Sequence, residues 1–305
     1  LPYYIASLNI EHAYYERIGT YAPFEGICLV DTFEAEDQRQ SPQLFTPANT
    51  ERVKQQQDQS ITVVIGNPPY NAWQVNANDN NQNRSYERVD GRIRETYVAD
   101  SAATNNNQNY DPYVKAIRWA TDRIGDEGIV AYVTNNSFID RISFDGMRKH
   151  LAEDFDAIYV LDLKGNVRDD SMRDGVPIGE QHTVFGLSAM VGISISFFIK
   201  GGSKEGIFYH GVDWKARREE KFELVNDARD WRGIQWEELE PDAKHRWLVE
   251  PTTREFESYI PIGTKEDKKA DWGDAKTIFE TYSNGIKTSK DAYVYDFDAG
   301  ALTNR

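Results

Sequence analysis

The stretch Ile65-Gly66-Asn67-Pro68-Pro69-Tyr70 holds the residue types in this chain best suited to chemistry. Asn67 offers a side-chain carbonyl acceptor. Pro68 and Pro69 have no backbone N–H, so their carbonyls are rigid acceptors with no competing donor beside them. Gly66 lets backbone come close to a ligand, and Tyr70 adds a flat ring. Together these suit a planar ligand bearing an exocyclic amine: two acceptors take the amine hydrogens while the ring stacks on tyrosine. Two accepted hydrogen bonds also draw the nitrogen lone pair out of conjugation, toward an electrophile. The plain alternative is a polyproline-like turn that merely ends a strand. The apolar run Ile61 to Val64 before it and the tyrosine after it favour the ligand reading.

Elements must position these groups. In an open parallel sheet, ligands bind beyond the carboxyl ends of strands, and residues 61–65 read as a buried strand ending at this tetrapeptide. Ile5, Leu8, Ile10, Ala13 and Tyr14 have roughly helical spacing over residues 1–17. Residues 27–30 ("ICLV") predict a short buried strand ending at Asp31, and 48–58 a helix. Residues 71–109 are polar and Asn-rich, too long for an ordinary connection, and predict a functional loop or disorder. Asp111 and Pro112 cap a helix over 111–124. A strand (128–134), a helix (143–155) and a strand (157–163) follow. Residues 182–187 and 191–200 read as two strands with no helix between them, hence an antiparallel hairpin at a sheet edge. Strand–helix alternation over 1–163 predicts an α/β fold with a mostly parallel sheet. After residue 203 the texture changes. Trp214, Trp231, Trp236 and Trp247 among alternating charges read as a linker. The predicted division is 1–203 and 204–305.

Composition bounds the function. Hydrophobic residues make up 39% of the 305 residues, which fits a globular chain. No run approaches ~18 apolar residues. The first residues lack a basic start and carry Glu11 and Glu16, unlike a signal peptide. The single cysteine, Cys28, forms no internal disulfide and suits a cytoplasmic protein. A net charge of −15 argues against gripping nucleic acid over the whole surface, so such binding needs a local basic patch. Arg84, Arg88 and Arg92, four apart, would share one face of any helix and could clamp DNA phosphates. Alternatively they pair with Glu87, Asp90 and Glu95. The five histidines show no metal-ligand spacing, and no metal is expected.

Asn67-Pro68-Pro69-Tyr70 resembles the catalytic motif of S-adenosylmethionine-dependent amino-methyltransferases, above all DNA adenine-N6 methyltransferases. Other stretches resemble this family in its order: 26–34 ("GICLVDTFE"), 111–124, 127–140 and 182–201. More narrowly, residues 1–19, the Asn-rich insert and "YSNGIKTSKDAYVY" resemble the methyltransferase region of type ISP restriction–modification enzymes. The resemblance implies a Rossmann-like methyltransferase sheet and S-adenosyl-L-methionine as cofactor. Asp31, with Thr32, Phe33, Asn67 and Tyr113, would contact the cofactor. Asn67 and the Pro68 carbonyl would hold the N6 of an adenine flipped from double-stranded DNA. Tyr70 and Phe185 would stack on its two faces. The resemblance further implies nuclease, helicase-like and recognition parts in the parent polypeptide, with 204–305 as linker and start of the recognition region. The family's Phe-x-Gly-x-Gly cofactor turn is not found, so the chain reads as a fragment lacking the sheet's first strands, expected to hold the cofactor weakly alone. Two alternatives stay open. One is a protein glutamine N-methyltransferase, because a carboxamide also presents a planar amine. The other is a non-catalytic DNA-recognition module.

Overall fold

A computed structural model of the chain describes residues 2–37, 46–69, 84–167, 172–173, 175–186, 189–249, 258–263 and 276–279. Strand β1 (Ile61–Gly66) pairs in parallel with β2 (Ile124–Asn135). Strand β3 (Ala157–Asp162) pairs in parallel with β7 (Gly206–Gly211). Between these pairs runs β6 (Ile193–Lys200), antiparallel to both β2 and β3. At the far edge, β8 (Glu237–Leu239) lies antiparallel to β7. The sheet order is β1-β2-β6-β3-β7-β8, and β4 (Met172–Arg173) with β5 (Val176–Pro177) makes a separate small hairpin. Four of six strands therefore run one way, and their carboxyl ends, at Gly66, Asn135, Asp162 and Gly211, share one edge. This is the Rossmann-like, mostly parallel α/β sheet that the sequence predicts, with its antiparallel edge supplied by β8 rather than by the predicted hairpin over 182–200.

Three local expectations change. The antiparallel run 191–200 does not sit at an edge; β6 is interior, with Ile193, Ser194, Ser196 and Phe198 fully buried. An apolar strand covered on both faces reads alike wherever it inserts. Of the expected strand over 182–187, the described residues 182–186 form none. Thr183 and Val184 are buried in a bend, and Gly186 has φ +67°, a conformation a strand cannot use. Residues 27–30 also have no strand partner among the described residues. Instead, α3 (Pro47–Asp58) supplies Asn49, whose Oδ1 accepts from Leu29 N–H at 2.8 Å and whose Nδ2 donates to Leu29 O at 2.9 Å. One carboxamide thus replaces a neighbouring backbone.

Helices cover the sheet. In α5 (Pro112–Arg123) the Asp111 side chain caps the Tyr113 N–H, and Val114, Ala116, Ile117 and Ala120 enter the core. The second half of the Asn-rich insert is not a loop. It forms α4 (Glu87–Ile93), continued by a π-helical turn over Arg94–Val98. Val89, Ile93 and Tyr97, four apart, are buried there. Gly146 of α6 (Asp145–Asp154) lets that helix approach the turn, since a Cβ at 146 would lie 2.0 Å from the Tyr97 carbonyl. Helix α1 (Pro2–Ile18) has the expected spacing, yet Tyr4 and Leu8 are 72% and 65% exposed.

The chain divides into two compact units, Leu1–Leu248 and Val249–Arg305. The sheet unit therefore does not end at residue 203. Trp231 and Trp236 pack on Tyr159, and Trp247 stands edge-on to Phe138 at 6.0 Å. Buried Arg148 donates to the His245, Phe138 and Arg141 carbonyls, tying residue 245 to α6. Of the tryptophans read as linker, Trp247 is core, while Trp231 and Trp236 pack on the sheet from its surface. In the second unit, Ile278 and Phe279 donate backbone hydrogen bonds to Pro261 and Ile262. Among the described residues no helix is long and apolar enough to cross a membrane.

Candidate active site

A cavity of about 530 Å³ opens at the carboxyl end of β1. Asp31, Thr32 and Phe33 line one wall, Val64 to Pro69 another, and Arg84, Tyr86, Pro112, Lys115, Ala116, Trp119 and Tyr132 complete it. Asp31 caps the short helix α2 (Thr32–Asp37): Oδ1 accepts from Phe33 N–H at 3.1 Å and Glu34 N–H at 3.4 Å. Its Oδ2 accepts from the Tyr86 hydroxyl at 2.9 Å and faces Arg84 Nη1 at 3.5 Å. The carboxylate is thereby aimed before any ligand arrives. Phe33 meets Tyr86 edge-on at 5.1 Å, an arrangement that leaves a flat aromatic face available. Burial and the Asp31 carboxylate push the Tyr86 phenol far above its usual range, so it remains a donor.

Asn67 and Pro69 are exposed and Pro68 is half-buried at the cavity rim. Among the described residues nothing hydrogen-bonds the Asn67 carboxamide, so its acceptor is uncommitted. Gly66 serves a different purpose from close ligand approach: the Tyr132 ring fills that space, 3.2 Å from where a Cβ would stand. Lys115 bridges Asp90 Oδ1 at 2.7 Å and the Arg84 carbonyl at 2.9 Å, and lies 5.1 Å from the Tyr86 ring centroid. Buried and paired, it holds the segment before α4 against α5.

The structure thus gathers Asp31, Thr32, Phe33, Asn67, Pro68, Pro69 and Arg84 around one cavity. Tyr70 lies outside the described residues. Tyr113 does not line the cavity: it is 1% exposed in the core, with Phe138 and Phe144 rings 6.5 and 6.3 Å away. The opposite face of α5 supplies Pro112, Lys115, Ala116 and Trp119. These positions recur at helical spacing, so a wheel over 112–123 was the signal that would have found them. Arg84 precedes α4 and does not share its face; it pairs with Glu34 at 2.7 Å. Arg92 makes two bonds to Asp122, at 3.1 and 3.3 Å, and approaches Glu95 at 3.8 Å. Arg88 and Arg92 line a smaller cavity with Arg123 and Trp119. Asp90 goes to Lys115 rather than to an arginine. Phe185 is 40% exposed in the bend before β6.

A mostly parallel α/β sheet with an aromatic, carboxylate-walled cavity at its carboxyl edge is the arrangement in which open α/β sheets bind ligands. The Eco57I restriction-modification methylase family matches residues 6–167, and the chain belongs to that family. Among solved structures it is similar to DrdV in a DrdV–DNA complex, with 40% identity and a TM-score of 0.82 over 99% of this chain and 29% of that one. It is also similar to a nuclease-deletion mutant of the type ISP restriction-modification enzyme LlaGI in complex with a DNA substrate mimic. There identity is 34% and the TM-score 0.81, covering 99% of this chain and 24% of that one. The ATP-dependent type ISP enzyme LlaBIII bound to DNA gives 34% and 0.80, covering 99% and 20%. The chain therefore spans less than a third of the length of these solved relatives. Comparison with curated proteins gives no match.

Proposed function

We propose that this chain is the methyltransferase core of a restriction–modification enzyme that methylates the N6 amine of an adenine flipped from double-stranded DNA. The observation that carries the reading is the uncommitted Asn67 carboxamide at the rim of a cavity whose opposite wall is Asp31 and Phe33. The residues fit S-adenosyl-L-methionine. Phe33 and Tyr86 offer flat apolar surface to a purine, and the held Asp31 carboxylate offers acceptors. When bound, that cofactor supplies an electrophilic sulfonium methyl. Asn67 Oδ1 and the Pro68 carbonyl accept the two N6 hydrogens and localise the nitrogen lone pair. Pro68 and Pro69 keep competing donors away, and Tyr70 and Phe185 sandwich the base. The chain's contribution is chiefly positioning and fixed dipoles.

Further parts of the reading rest on the relatives. The complete polypeptide carries nuclease and helicase-like parts, residues 249–305 begin its recognition region, and it acts on DNA in the cytoplasm. Arg84, Arg88 and Arg92 contact the DNA backbone beside the cavity, because an ion-paired guanidinium keeps donors to spare.

Asn67→Ala in the complete enzyme tests the reading. Single-turnover transfer of labelled methyl to duplex DNA is expected to slow by about 10²-fold or more, as loss of one preorganised polar contact does. Nucleoside analysis should find the wild-type label on adenine N6. A rate within about threefold of wild type, worth well under 1 kcal/mol, or label on cytosine or on protein glutamine, overturns it.

A further inference from the structure

Helix α7 (Arg218–Ala228) lies in the stretch that reads as linker, yet two of its cations are spent on one short loop. Arg218 Nε donates to the Thr183 carbonyl at 3.1 Å, and its Nη2 to the Glu180 carbonyl at 3.1 Å. Lys221, 1% exposed, donates through Nζ to the His182 carbonyl at 2.5 Å. Three apart, the two side chains share a helix face. They meet three carbonyls, those of Glu180, His182 and Thr183, in the segment that ends in Phe185. The segment is also tied within itself: Gly179 N–H donates to His182 Nδ1 at 3.0 Å, and the Thr183 hydroxyl to the Glu180 carbonyl at 2.7 Å. Val184 is buried against Leu161, Leu163, Ile193 and Ile234, which turns the adjacent Phe185 outward.

Position gives the arrangement meaning. The loop leads into β6, whose Ile193 pairs with Asn135 at the end of β2 and whose Ser194 pairs with Asp162 at the end of β3. It therefore lies on the sheet edge that carries Asn67 beyond β1. A buried ammonium on a neutral carbonyl is an expensive tether. Burial lowers the Lys221 pKa to about 8, with Asp162 opposing the shift and Arg218 adding to it. An apolar side chain would fill the space at lower cost, so the cation is there for the geometry it imposes.

We propose that Arg218 and Lys221 are positioning residues that set where Phe185 stands over the flipped base, making α7 a working part of the base pocket. The proposal rests on the reading above that Phe185 stacks on that base. Its test is the complete enzyme, with turnover read on a duplex carrying the target adenine and stacking read by emission from a duplex carrying 2-aminopurine, which has no 6-amine to methylate, at that position. Arg218→Ala and Lys221→Met should each lower kcat about tenfold, the scale of a sub-ångström misplacement, with DNA affinity within threefold. Both should raise the emission of the bound 2-aminopurine, because stacking loosens, as Phe185→Ala does. Adding either change to Phe185→Ala should cost nothing further, since residues acting through one contact are not additive. Arg218→Lys, which keeps one donor, should restore most of the turnover. Should Lys221→Met fail to fold, the half-buried Arg218 carries the same cycle alone. Unchanged emission in Arg218→Ala, or effects fully additive with Phe185→Ala, overturns the proposal. If Phe185→Ala itself leaves emission and turnover at wild type, the stacking role falls and the proposal with it.

Discussion

Beyond β1, the Asn67 carboxamide is exposed with no bond to any described residue, and Val63 and Ile65 in the strand before it are 59% and 81% exposed. Beyond β3, on the same sheet edge, Asp162 is 2% exposed and takes four hydrogen bonds. Its Oδ1 accepts from Asn136 Nδ2 at 2.8 Å and Lys164 N–H at 3.0 Å. Its Oδ2 accepts from Lys164 Nζ at 2.5 Å and the Tyr209 hydroxyl at 2.9 Å. Lys164 holds φ +52° and stands 4.7 Å from the Trp214 ring centroid. A buried polar network that satisfies all its members rigidifies its surroundings, whereas an acceptor meant for a ligand must be left unspent. One end of the edge anchors the fold; the other leaves its acceptor unspent among the described residues.

Lys164→Met should break that contrast most visibly. It leaves Asp162 buried without its cation, and removal of one partner from such a pair costs about 3–5 kcal/mol. Three remaining donors put the expected loss near the lower value. Asn67→Ala, by comparison, should change stability by no more than about 0.5 kcal/mol, as surface substitutions do. Urea denaturation of both variants is the check. A larger loss from Asn67→Ala than from Lys164→Met would reverse the assignment of the two ends.

Tyr86→Phe sharpens the comparison inside the cavity, where Asp31 is the one acidic group held in advance. Losing its 2.9 Å bond should cost about 1 kcal/mol of stability. Affinity for S-adenosylmethionine should fall about fivefold, the equivalent of that energy, with turnover at saturation little altered. A change in turnover without a change in affinity would remove Asp31 from the cofactor wall. The smallest expected effect is on DNA binding. Replacing Arg84, Arg88 and Arg92 together by Ala should flatten the dependence of log affinity on log salt by about one unit, since roughly 0.9 unit follows each lost phosphate contact. All three residues already have partners within the chain, Glu34 and Asp122 among them, so three full units are not expected. An unchanged slope would leave these arginines to bracing α4.

Local patterns were enough to place β1, α5, β2, α6 and β3, because apolar runs, the Asp111 cap and the Pro112 start are written within a dozen residues each. Yet β1 is not the buried strand expected, with Val63 and Ile65 exposed. The Asn67–Pro69 motif was legible by its residue types, and the structure sets it with Asp31 around one cavity. Local patterns failed where a partner distant in the chain completes an element. Residues 27–30 look like a strand, but strandedness needs a backbone neighbour, and Asn49 took its place. The insert looked solvated because its polar residues outnumber those that enter the core, Tyr86, Val89, Ile93 and Tyr97 among the described residues.

By itself the sequence determined the α/β class, the site of the carboxyl-edge motif and the acidic wall opposite it, since strand endings and residue chemistry are local properties. Only tertiary structure decided that β6 lies inside the sheet, that Trp247 is core, that Tyr113 faces away while Lys115 and Trp119 face the cavity, and that α7 holds the Phe185 loop. Each of these depends on which surface meets which across tens of residues, and a buried contact is a property of the pair.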